Sequence, residues 1–144
     1  MNRYKLIIII ILFTNFTNSL LAENDFVEKG KKKYIEKKYE ESKFLFQRSI
    51  VFNPKNSGSY LYLAKIYNFE ENNKEELKNI NTVLLLDPKN EEAMYMLMKI
   101  QIKKSNYLKV RELTENFSKI CINLCEKKNS MLESLKNIEP KNES

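Results

Sequence analysis

The stretch Ser57–Asn90, SGSYLYLAKIYNFEENNKEELKNINTVLLLDPKN, holds two apolar patterns divided by a polar run and closed by a proline. In its first part Tyr60, Leu63, Ala64 and Tyr67 recur at i, i+3, i+4 and i+7. An α-helix turns once in 3.6 residues, so that spacing places all four along one face. In the second part Leu77, Ile80 and Leu84 make another such stripe. The polar run EENNK between them, Glu70–Lys74, offers Asn73 as an N-cap with Glu76 three residues on, a capping-box arrangement. Pro88 stops the second helix, because it lacks an N–H and its ring clashes with the preceding turn. Asn90 is then placed to cap a following helix. The stretch reads as helix, turn, helix, turn.

Pro-Lys-Asn returns in NPKN at Asn53–Asn56, DPKN at Asp87–Asn90 and EPKN at Glu139–Asn142, and Pro54 and Pro88 are 34 residues apart. Laying 23–56 over 57–90 pairs Phe26 with Tyr60, Gly30 with Ala64, Phe46 with Ile80 and Ser49 with Val83. A third step, 91–124, brings Met94 under Tyr60 and Leu97 under Leu63. The period, and the order aromatic, Leu with a small residue, Tyr, small–aromatic–small, Pro, resemble the tetratricopeptide repeat. The second repeat carries this in Tyr60, Leu63, Ala64, Tyr67, Ile80 and Pro88, the first in Phe26, Gly30, Ser42, Phe46, Ser49 and Pro54. Departures are Lys29 and Lys33 in the first repeat and Glu76 and Val83 in the second. In the third they are Met98 and Phe117, and no Pro closes it.

The resemblance implies an all-α fold, a short right-handed solenoid of helix–turn–helix repeats over 23–56, 57–90 and 91–124. One helix pair cannot bury its apolar face alone, so repeats stack and leave an extended concave surface. Residues 125–144 are expected to hold a capping helix and a disordered tail. Ser130 is placed to cap a helix over 130–138, with Glu133 at the capping-box position and Met131, Leu132, Leu135 and Ile138 as its apolar face. A second helix of the third repeat running through 106–127 is compatible with this.

The resemblance also implies that the first helix of each repeat lines the groove. The ninth positions are Lys31, Lys65 and Lys99, with Val27, Leu61 and Tyr95, then Tyr34, Asn68 and Ile102, as neighbours. An apolar and aromatic trough with a row of ammonium groups suits an extended acidic peptide. The competing reading is a solvated lysine face in a lysine-rich chain. The run EKGKKKYIEKKYEESK, 28–43, is interrupted by Glu28, Glu36, Glu40 and Glu41, so helical charge pairing accounts for it better than nucleic acid or anionic lipid.

Chemistry is not expected. The chain has no His and only two Gly, too few for a phosphate loop. Glu70–Glu71 and Glu75–Glu76 read as a solvated turn and a favourable charge at a helix start. Without His, a Cys nucleophile lacks its usual base. No metal or cofactor is expected. The expected partner is a protein or peptide, with self-association through the third repeat or the end helix as the alternative.

The N-terminus differs in kind. Arg3 and Lys5 precede the apolar run Leu6–Phe13, a polar stretch follows, and then Leu-Leu-Ala. That is the order of a secretory signal peptide, with cleavage after Ala22, and the run is short of the roughly 20 residues that cross a membrane. Uncleaved, it would be the chain's membrane anchor. Removal takes two of 25 basic residues and no acid, leaving 23 against 19, a net +4. Export to a periplasm or cell envelope follows if the source is bacterial. Cys121 and Cys125, at i, i+4 in an expected helix, read as two small buried apolar residues, with a bridge or a partner thiol as the second reading.

Overall fold

The computed structural model describes residues 24–138, and their regular structure is helical throughout. The expected signal segment at 1–22, Pro140 and the tail lie outside the described residues. In chain order the helices are α1 (24–35), α2 (Tyr39–Phe52), α3 (Ser57–Phe69), α4 (Asn73–Leu86), α5 (Glu91–Lys103), α6 (Tyr107–Ile120) and α7 (Glu126–Ile138). The starts of α2, α4 and α6 fall 34 residues apart, as do those of α3 and α5.

The turns keep the same period. Lys37, Glu71 and Ser105, again at steps of 34, take left-handed φ of 59°, 57° and 55°. In each turn the next residue's N–H reaches back five positions: Lys38 to Lys33, Asn72 to Tyr67 and Asn106 to Gln101, all at 2.9 Å. Lys37, Glu71 and Ser105 also donate to Tyr34, Asn68 and Ile102. These paired bonds are the Schellman ending of a helix, made here without the glycine that usually occupies the left-handed position. Its geometry moves the cap. Asn72, not Asn73, is the N-cap of α4, and its side chain accepts from the Glu75 N–H. Asn106 does the same for α6, and Asn90 accepts from Ala93 as the sequence predicts.

α2 and α4 each end two residues before Pro54 and Pro88. Position 122, the third in that column, is Ile, and there the chain uses other means. α6 stops at Ile120 rather than running through 106–127, and Cys121 and Cys125 form a disulfide across the connection, with Cα atoms 5.2 Å apart. The expected pair of buried free thiols is thereby corrected. Both cysteines lie outside a helix, so the poor i, i+4 helical geometry does not apply. The carboxylate of Glu91 gathers the backbone N–H groups of Ile122, Asn123 and Leu124 at 2.7–3.2 Å. α7 then begins at Glu126, not Ser130, whose hydroxyl bonds back to the Lys127 carbonyl inside the helix. Met131, 34 residues after Leu97, is buried as Leu97 is, so α7 continues the register as the first helix of a further step.

The chain divides into two compact units after Ile66, within α3. In the first, Phe46 is fully buried beside Gly30, where an added Cβ would lie 3.0 Å from its ring. The glycine is there for that close approach. Ser42 donates to the Gly30 carbonyl at 2.9 Å, and Ser59 donates to Ser49 at 3.0 Å. In the second, α4 packs on α5, α5 on α6, and α7 on both α5 and α6. Its core includes Ile80, Val83, Met98, Val110 and Phe117.

Candidate functional site

Val27, Lys31 and Tyr34 lie on α1, Leu61, Lys65 and Asn68 on α3, and Tyr95, Lys99 and Ile102 on α5. Each triplet is spaced i, i+4, i+7 and so shares one face of its helix. None belongs to the core: Lys99 is exposed and the other eight are half-buried.

In the first compact unit a residue outside this set gathers them. The Tyr62 ring stacks on Phe46 with centroids 4.8 Å apart and meets Tyr34 edge-on at 5.2 Å. The Lys65 ammonium sits 4.7 Å from the centre of the same ring, a cation–π distance. Lys31 is drawn upward from its ordinary pKa, chiefly by its hydrogen bond to Glu28 at 2.8 Å, with Tyr62 acting in the same direction. Tyr34 and Lys65 therefore meet one aromatic plate, and its effect also reaches Lys31. The sequence hides Tyr62 because its column is irregular, with Glu28 and Met96 one period either side. Val27 and Leu61 lie one turn ahead of the two lysines on the same helical faces.

In the second unit the organiser is Glu76. It is 1% exposed, at the position held by Ser42 and Val110 one period away. Its Oε1 accepts from Asn68 Nδ2 at 2.9 Å, while Oε2 is buried without a hydrogen-bond partner. Desolvation pushes its carboxyl above the ordinary range, opposed by the Asn68 bond and by the charges of Lys103 and Lys99. Asn68 and Lys99 are thus linked through one buried acid. Lys99 lies 5.9 Å from the Tyr95 ring centre. Tyr95, Lys99 and Ile102 line a groove of about 260 Å³ with Lys103 from α5 and Ser130, Met131 and Ser134 from α7. Met131 reads from sequence as part of a capping face, and nothing there marks it as the wall of a groove.

A larger hollow of about 760 Å³ lies along α1 and α2 among Lys29, Lys32, Lys33, Lys38, Glu36, Glu40, Glu41, Phe44 and Leu45. Most of its charges are paired, Lys29 with Asp25 and Glu40 with Lys43 beyond its lining. Lys33 bonds Glu41, and Lys38 bonds Glu36 at 3.1 Å. The Glu41 hydrogen bond raises the Lys33 pKa, and the Lys38 hydrogen bond lowers that of Glu36. The basic run is therefore a mixed-charge network, not an open cationic patch. Among the described residues no cluster of three or more His, Cys, Asp or Glu is placed to hold a metal, and no helix is long and apolar enough to cross a membrane.

No family model and no curated protein matches the sequence. Solved structures match its fold. The TPR domain of Arabidopsis OM64 superposes with a TM-score of 0.72 at 15% identity, covering 83% of this chain and 98% of that one. The TPR2B domain in the pHsp70 complex of yeast Sti1 gives 0.72 at 12%, covering 81% and 98%. The Yersinia enterocolitica type III secretion chaperone SycD, in complex with a peptide of the translocator YopD, gives 0.71 at 17%, covering 79% and 92%. At these identities the likeness is one of fold: the chain has the all-α helical-repeat fold of tetratricopeptide domains.

Proposed function

We propose that the protein is a non-catalytic adaptor that binds an extended acidic segment of a partner protein at the accessible face of α1 and α3 in its first compact unit. The observation that carries this reading is the Lys65 ammonium 4.7 Å from the centre of the half-buried Tyr62 ring, which Tyr34 meets edge-on. Such a surface supplies contact area through its rings and orientation through its charges. Lys99 over Tyr95 repeats the combination in the second compact unit. Neighbours in fold bind peptides: SycD a translocator peptide, and the first TPR of Spaghetti the HSP90 peptide SRMEEVD, three of whose seven residues are acidic.

Export to a periplasm or cell envelope belongs to the same proposal. The charged start and apolar run before Ala22 support it, and so does the Cys121–Cys125 bridge, since disulfides persist in oxidising compartments.

The test is a charge reversal. A fluorescein-labelled peptide of alternating Glu and Ser should bind the protein with an affinity that falls as salt rises. Lys31→Glu, Lys65→Glu and Lys99→Glu together should weaken binding at least about tenfold, since each exposed ion pair is worth about 0.2–1 kcal/mol and reversal adds repulsion. The helical circular dichroism should be unchanged. Unaltered binding by the triple variant, or a stable dimer by light scattering that hides these lysines, would contradict the reading.

A further inference from the structure

The first two repeats pass to the next helix through Pro54 and Pro88, and the third closes on sulfur instead. Position 122 in the proline column is Ile, and the bridged Cys121 and Cys125 stand around it. A disulfide, unlike a proline ring, can be opened. The ring it closes is short, with a sequence separation of 4. In the chain-entropy account a bridge stabilises through the loop it closes, and the shortest loops add least. The effect of this bridge is therefore mainly local.

The bridge is within reach of solvent. Cys125 is exposed, Cys121 is half-buried, and Ile122 between them is 84% exposed. Exposed disulfides are the ones that exchange with thiols, since a thiolate must approach one sulfur directly. The two sulfurs also differ in setting. Cys125 stands immediately before α7, and its carbonyl accepts from the Lys128 N–H at 3.1 Å. The start of a helix favours a thiolate through its unpaired N–H groups.

The bridged ring is also the place where α7 is tied to α5. Glu91 is the first residue of α5, and its carboxylate takes the N–H groups of Ile122, Asn123 and Leu124, all inside the ring. Three successive amides meet one anion only when the backbone is curled into a concave nest, and a closed ring keeps it curled. Beyond the ring α7 packs on α5 and α6, with Met131 and Leu135 buried. The entry to α7 thus depends on one covalent and one ionic clasp, while its middle is held by apolar packing.

We propose that Cys121–Cys125 is a thiol–disulfide exchange site for an external dithiol, and that opening it loosens the entry to α7 while the rest of the fold stands. A thiolate of the dithiol attacks the exposed Cys125 Sγ. The Cys121–Cys125 bond breaks, a mixed disulfide forms, and Cys121 leaves as a thiolate that takes a proton from water. The dithiol's second thiolate then attacks its own sulfur in the mixed disulfide. Cys125 leaves as a thiolate favoured by the start of α7, and is protonated in turn. Two electrons and two protons pass to the chain, and the dithiol departs as a disulfide. The site lies apart from the face of α1 and α3, so it stands or falls independently of the peptide reading.

Reduction of the full oxidised chain by dithiothreitol in native buffer tests it, with the thiols released counted by mass after maleimide labelling. Adding about 1 M urea should raise the opening rate less than about twofold, since no unfolding is needed. A steeper rise, toward the fivefold or more that opening through global unfolding would give, overturns the exchange site. In the reduced chain, amide hydrogen exchange at 122–128 should be at least about tenfold faster, and that of Met98, Val110 and Phe117 unchanged. Unchanged exchange at 122–128 overturns the local effect, and protection lost throughout α5 and α6 would make the bridge a staple of the whole fold, which overturns it too. With Cys121→Ser, iodoacetamide should alkylate Cys125 at least about tenfold faster than it alkylates Cys121 in the Cys125→Ser chain. Equal rates overturn the choice of Cys125 as the attacked sulfur.

Discussion

Where α1 crosses α2 a glycine faces a phenylalanine; where α5 crosses α6, two periods on, a methionine faces a threonine. A Cβ on Gly30 would crowd the Phe46 ring at 3.0 Å, and Thr114 donates its hydroxyl to the Val110 carbonyl at 2.7 Å with Met98 Sδ 3.3 Å from the same oxygen. Bulk that the second helix supplies in the first pair is supplied by the first helix in the third. A close-packed interior constrains the filled volume at a crossing more tightly than the side from which it comes. Met98 and Phe117 therefore look like losses of the repeat only when each helix is read alone. Both are fully buried, so the third pair is packed with a different division of volume.

The comparison breaks most visibly at its large residue. Phe46→Ala should cost about 3–5 kcal/mol in urea unfolding, as large buried truncations do. Thr114→Ala, two periods later, should cost about 1 kcal/mol, the net worth of a buried hydrogen bond. Equal losses would contradict the exchange of roles. Transplanting the third crossing sharpens it. Gly30→Met alone should destabilise by about 3 kcal/mol through overpacking. Adding Phe46→Thr should recover a substantial part of that loss, as a coupling of about 1–3 kcal/mol in the double-mutant cycle.

A smaller effect separates the column Ser42, Glu76, Val110. Glu76→Val, installing the residue found one period on, should raise stability at neutral pH by about 1 kcal/mol, because it removes a buried carboxylate with an orphaned oxygen. The pH dependence has a definite sign. The folded-state pKa of Glu76 lies above its ordinary value of 4.5. As pH falls from neutral through that raised value, the folded chain takes up a proton before the unfolded chain does, so stability rises. The gain is complete once pH has dropped below the ordinary value. Glu91 runs the opposite way. Burial alone would raise its pKa, but the N–H groups of Leu124, Ile122 and Asn123 together hold it down, so its contribution is lost as pH falls through the lowered value. The difference between the protein and Glu76→Val isolates the first effect: its pH-dependent part should be largest at neutral pH and disappear in acid. A difference independent of pH would show that Glu76 does not titrate as its burial requires.

The parts of the fold legible in the sequence were those with a periodic or chemical marker. Pro54 and Pro88 fix where α2 and α4 stop, Asn90 fixes where α5 starts, and apolar spacing sets the helical faces. What escaped had no such marker. Glu71 takes the left-handed turn without being glycine, which moves the cap from Asn73 to Asn72. The break after Ile120 carries no proline, so a continuous helix and unpaired cysteines looked consistent until the bridge and Glu91 closed that connection. The candidate site divides likewise. Its nine residues could be placed on accessible faces of first helices by register alone. Tyr62, Glu76 and Lys103, which act on those residues, have no matching side chain one period away to announce them.

The central claim is tested most directly by amide chemical-shift mapping of the whole isotope-labelled protein as the peptide of alternating Glu and Ser is added. We expect the largest shifts around Lys31, Tyr62 and Lys65, on α1 and α3. Shifts concentrated on α2, α4 and α6, or confined to the basic run 28–43, would contradict it.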